Sequence, residues 1–190
     1  MTRLPRIKIH SSTVLLFAGL ALLNGGIIPL IAFGAALCHE LGHLAVMRWL
    51  GVKVEEIEIT LFGAEIRTPY LMLGTFGSVA VYFAGAAANM LTAAVACLLR
   101  GSFAADYYVV CSLSLAFFNL LPIRTLDGGC ILDALCLHFF PRHVGLITNV
   151  VSALTLGFLW LVSAYLLLTF DGNVSLMLFC IYMFVSLYLR

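Results

Sequence analysis

"IIPLIAFGAALCHELGHLAVMRWL" runs from Ile27 to Leu50, and its reading decides the fold. The stretch is apolar almost throughout, yet it carries His39, Glu40 and His43 within five residues. A segment of ~20 apolar residues spans a bilayer, and ionisable groups inside a span are expensive and usually functional. On a helix, residues four apart share a face, so His39 and His43 can aim both imidazoles at one metal ion. Glu40 lies one residue on, within reach of a water held by that metal. A pair of packed core histidines is the bland alternative. Three ionisable groups in one lipid-embedded turn argue against it, because neither metal nor water would then offset their burial.

The rest of the chain supports a membrane reading. Of 190 residues, 63% are hydrophobic and 10% charged, with a mean hydropathy of +1.12. That leaves too little charge to cover a soluble domain of this length. Six apolar segments stand out, at about 12–29, 30–49, 72–99, 107–121, 144–169 and 174–189. No small-residue cleavage site follows the first, so it reads as a span rather than a removed signal. With the N-terminus in the cytoplasm, nine of the ten basic residues fall inside and only Arg100 outside. That is the bias of the positive-inside rule, and it puts both termini in the cytoplasm of a cell-membrane protein. The expected architecture is an all-α polytopic membrane protein of about six transmembrane helices in a single domain, 1–190, whose partners are lipid and protein rather than nucleic acid.

Between the second and third segments the period changes. "VKVEEIEITLFGAEIRT" (Val52–Thr68) alternates apolar and polar residues, which predicts a small cytosolic β-hairpin with Gly63 as its turn. Glu55, Glu56, Glu58 and Glu65 read as its solvated face. The six cysteines are scattered without paired spacing, so they read as small buried hydrophobes rather than a disulfide framework.

A catalytic zinc site built on two histidines needs a third protein ligand and an open position. Asp127, within "NLLPIRTLDGG", is the candidate. The hairpin carboxylates lie outside the membrane, and Asp106 and Asp171 fall near the outer face. A helix over 107–121 is only ~22 Å long, short of the ~30 Å hydrocarbon core, and Pro122 breaks it. The irregular stretch from Pro122 to Gly129 therefore starts at membrane depth, tolerated only where it is buried in protein or lines a cavity. His39 and His43 fall at a similar depth. The competing role for Asp127 is an N-cap of the helix that follows, and Cys130 is the alternative ligand. Asn119 either donates to a substrate carbonyl or developing oxyanion, or caps carbonyls freed near Pro122. Asn89, in "AGAAANM", makes either an interhelical hydrogen bond or a site contact.

Together, HELGH at His39–His43, the G-x-x-x-N element Gly85–Asn89 and N-x-x-P-x-x-x-x-D-G at Asn119–Gly128 resemble the site-2 protease family of intramembrane zinc metalloproteases. The six-segment layout and "NLLPIRTLDGGCIL" look most like its stage IV sporulation FB-type branch. The resemblance implies one zinc ion held by His39, His43 and Asp127, with Glu40 as general base. It also implies that Asn119, with Asn89, holds the peptide or stabilises the tetrahedral intermediate. The implied activity is a metalloendopeptidase cutting membrane-associated proteins near the cytosolic face, such as a pro-sigma factor during sporulation, under control by membrane inhibitor proteins. Ala86 stands where the family often has proline, and neither a PDZ nor a nucleotide-sensing domain is expected. Two other classes compete: a catalytically inactive zinc-binding scaffold, and a metal transporter. A scaffold needs no general base, and a transporter of this type would show paired halves, which this chain does not.

Overall fold

Pro29 sits in the first turn of the first helix, where a missing N–H removes no helical hydrogen bond. In the computed structural model that helix, α1, runs Ile27–Trp49 and ends with Gly51 at φ 72, a left-handed position that favours glycine. The structure describes residues 6–9, 27–52, 54, 56–60, 63–67, 73–99, 101–169 and 175–188. Most of the first apolar segment, 12–29, lies outside the described residues.

Five more helices follow: α2 (Thr75–Ala96, extended by a 3-10 turn, Cys97–Leu99), α3 (Phe103–Asn119), α4 (Asp127–Phe139), α5 (Val144–Thr169) and α6 (Ser175–Tyr188). Among the described residues, three helical stretches are long and apolar enough to cross a membrane: Ile27–Trp49, Thr75–Leu99 and Val144–Thr169. Phe103–Asn119 and Leu176–Leu187 are shorter apolar helices. Large side chains point outward along these elements, among them Leu30, Trp49, Leu98 and Leu168. In water such a surface would aggregate, whereas in a bilayer it is the solvated face. The chain is a multi-pass membrane protein.

The helix over 107–121 starts earlier and stops sooner than expected, at Phe103–Asn119. It ends before Pro122 because a proline's ring excludes the residue preceding it from helical backbone. Strands β2 (Glu56–Thr60) and β3 (Gly63–Arg67) pair antiparallel, with Ile57 opposite Ile66 and Glu58 opposite Glu65. Gly63 belongs to β3, paired with Thr60, rather than to the connection. A strand that the sequence reading lacks, β1 (Arg6–Ile9), joins β2 in parallel, giving the sheet order β1-β2-β3.

The packing divides into two compact units, residues 1–118 and 119–190. In the first, α1 and α2 approach closely over small residues. A Cβ on Gly42 would meet the Ala84 carbonyl oxygen at 2.5 Å and the Ala88 Cβ at 2.7 Å. Such contact is how helices associate in lipid, where there is no hydrophobic drive to bring them together. Tyr108 of α3 donates its hydroxyl to Thr92 Oγ1 of α2 at 3.0 Å. In the second unit, Ile123, Leu156, Leu159, Cys180 and Met183 form the buried apolar cluster.

Candidate metal centre

His39 and His43 are both buried on α1, at 4% and 6% exposure, with ring centroids 4.8 Å apart and planes at 82°. Burial at this level requires partners for their ring nitrogens. Nδ1 of His43 donates to the carbonyl oxygen of Val81, 2.7 Å away on α2. A carbonyl can only accept, so the proton of neutral His43 sits on Nδ1 and Nε2 keeps its lone pair. His39 Nδ1 lies 3.2 Å from the side-chain amide of Asn89, which is fully buried. That contact joins α1 to α2 and touches a candidate ligand at once.

Gly85 lies between these two contacts on α2. A Cβ there would strike Nε2 of His43 and would meet Nε2 and Cε1 of His39 at 2.7 Å. Both Nε2 atoms therefore converge on one small space that exists only because residue 85 has no side chain.

Asp127 is the first residue of α4, half-buried, with Leu126 as the extended N-cap and no side-chain capping bond. It is therefore not the N-cap. Its carboxylate sits in the first helical turn, where the peptide dipoles favour negative charge. Gly128 and Gly129 let α4 press against the preceding loop, since Cβ atoms there would collide with the Leu120 and Ile123 carbonyls. The loop itself is tightly wound, with Ile123 N–H donating to Leu121 O at 2.7 Å and Leu126 N–H to Ile123 O at 2.8 Å. Ser152 of α5 holds it from outside: its hydroxyl accepts from Arg124 N–H at 3.0 Å and donates to Pro122 O at 3.3 Å. Arg124 adds a bond to Asn149 at 3.2 Å and an ion pair with Asp133 at 3.9 Å, while Thr148 donates to Asp133 at 2.8 Å.

His39, His43 and Asp127 are the candidate ligand set for a single metal ion. Two imidazoles and a carboxylate suit zinc and leave a fourth position open. The space over Gly85, faced by two Nε2 atoms, fits such an ion. Cys130 is not in the group. Glu40 is half-buried beside His39 on α1, and Asn119 is the last residue of α3, also half-buried.

Val81 is the contributor that sequence reading misses, since it acts through a backbone carbonyl and any residue supplies one. Its only trace is spacing, four residues before Gly85 and eight before Asn89.

The model of Peptidase family M50 matches residues 101–162, which include Asp127. A protein of Mycobacterium tuberculosis that carries the name zinc metalloprotease Rip3 is 32% identical over 139 residues, 63% of this chain and 32% of its own length. Another named a zinc metalloprotease, sll0528 of Synechocystis, is 28% identical over 155 residues, 74% of this chain and 39% of its own. The chain thus spans about a third of the length of these curated relatives. The solved site-2 protease from Methanocaldococcus jannaschii superposes with a TM-score of 0.67 over 93% of this chain and 86% of that one, at 22% identity. The fold is that of a site-2 protease. Both curated relatives carry zinc metalloprotease in their names, and the donor residues of this chain are of the types that suit zinc.

Proposed function

We propose that this chain is a zinc-dependent intramembrane endopeptidase. The observation that carries the reading is the candidate ligand set His39, His43 and Asp127, its two histidines buried, with Glu40 on the adjoining position of an apolar helix. When bound, zinc would supply Lewis acidity, polarising a substrate carbonyl and lowering the pKa of water. His39 and His43 would hold it through Nε2, and Asp127 through its carboxylate. Glu40 takes the proton from the attacking water and returns it to the departing amine, the two halves of general acid–base catalysis. Asn119 stabilises the oxyanion of the tetrahedral intermediate through its amide N–H. The apolar walls exclude bulk water, which strengthens each of these interactions.

The substrate must be extended, because a helical peptide hides its carbonyls in its own hydrogen bonds. Strand addition at β3 suits that need, since no described strand lies beyond it in the order β1-β2-β3. With both termini in the cytoplasm, as the distribution of basic residues favours, cleavage falls near the cytosolic face. A membrane-associated pro-protein, such as a pro-sigma factor in sporulation, is the substrate class that the FB-type resemblance brings. The test is co-expression with membrane-tethered candidate substrates, comparing the unaltered chain with Glu40→Gln. Cleavage that stops in the variant while zinc stays bound is the expected result. Full cleavage by the variant would overturn the mechanism.

A further inference from the structure

Val81, Gly85 and Asn89 recur every four residues along α2 and meet the two histidines of α1 in reverse order. Val81 holds Nδ1 of His43, Gly85 leaves room for both Nε2 atoms, and Asn89 meets Nδ1 of His39. The Val81 contact leaves no choice of tautomer. The Asn89 contact does leave one, because an amide can donate or accept and its two ends exchange by a half-turn without changing its packing.

As placed, Asn89 Nδ2 faces His39 Nδ1 at 3.2 Å, and Asn89 Oδ1 is buried without a partner. In that orientation Nδ1 accepts, the proton of neutral His39 moves to Nε2, and Nε2 has no lone pair for a metal. After a half-turn Oδ1 accepts from Nδ1–H and Nε2 is bare. The amide makes one hydrogen bond to the ring either way, so ligation decides between them. Ligating histidines donate their other ring N–H to an oxygen acceptor, which fixes the ring and raises its basicity.

We propose that Asn89 is a positioning residue whose carbonyl accepts Nδ1–H of His39 and so presents His39 Nε2 to the metal. The proposal rests on the zinc site described above. Asn89 matches at His39 what the Val81 carbonyl does at His43, and the 81–85–89 stripe presets both rings before metal arrives.

The experiment measures zinc affinity of the detergent-purified chain by competition with a chromophoric chelator, in four forms. Asn89→Leu keeps the branched shape but cannot accept, so affinity falls about 10- to 100-fold. Asn89→Asp can only accept, so affinity stays within about threefold of the unaltered chain or tightens. If Asn89→Leu binds zinc normally, or if Asn89→Asp is as weak as Asn89→Leu, the proposal is wrong. His39→Ala is the control for the site itself: if it binds as the unaltered chain does, the metal reading fails, whatever the Asn89 variants do. An independent readout needs no Asn89 variant. Histidine ¹⁵N spectra of the metal-free chain, assigned by the His39→Ala difference, should show His39 protonated at Nδ1, and protonation at Nε2 would overturn the proposal.

Discussion

His43 Nδ1 donates to the Val81 carbonyl over 2.7 Å, and this single bond commits Nε2 of a buried histidine to the space above Gly85. Because the acceptor is backbone, no substitution at position 81 removes it directly. The site is therefore most sensitive where α2 comes closest to the rings.

Gly85→Ala tests that sensitivity. A methyl group at this position collides with both imidazoles, so overpacking should lower stability by about 1–3 kcal/mol and zinc binding should be lost. Gly157→Ala in α5, where a Cβ meets nothing within 4 Å, is the contrast and should be neutral or stabilising by up to about 1 kcal/mol. Thermal unfolding in detergent, with zinc analysis of both variants, checks the pair.

Asp127→Ala removes the proposed third ligand but leaves α4 with its Leu126 cap. Zinc affinity should fall at least about 100-fold while helix content is unchanged. Circular dichroism and metal analysis on the same sample decide this, and undiminished zinc would shift attention to Cys130.

Glu40→Gln separates binding from chemistry. The variant should hold zinc as the unaltered chain does and lose about 10²- to 10⁴-fold in kcat, with KM little altered. Single-turnover cleavage of a tethered peptide measures this split.

Ser152→Ala addresses the support of the Asp127 loop. Losing one hydroxyl strands the Arg124 N–H and the Pro122 carbonyl together, at a cost of about 1–3 kcal/mol. Ser152→Thr, which keeps the hydroxyl, should recover most of it. Denaturation midpoints of the two variants provide the comparison.

Local rules made much of this legible in advance. The i, i+4 pairing of His39 with His43 follows from helix geometry alone, and the apolar length around it marks a span. Pro122 announces the end of α3 because proline restricts its predecessor wherever it occurs. Asp127 stands out as the candidate third ligand by elimination, since so few carboxylates of the sequence fall at membrane depth. β1 was harder to see. "RIKI" is four residues long, and its partner, Glu56–Ile59, is some 50 positions away. A trace did exist: Arg6 opposite Glu56 and Lys8 opposite Glu58 set basic against acidic residues in register.

The sequence by itself determined the solvent of this protein, its candidate metal-ligand residue types and the break that precedes Asp127, because hydropathy, helical period and proline sterics act within a few residues. Only the tertiary structure decided which nitrogen His43 offers and which side chain faces His39. That depends on a backbone carbonyl at Val81, an absent side chain at Gly85 and an amide at Asn89, all on another helix, and hydrogen-bond partners brought in from 38 and 50 residues away leave no local pattern.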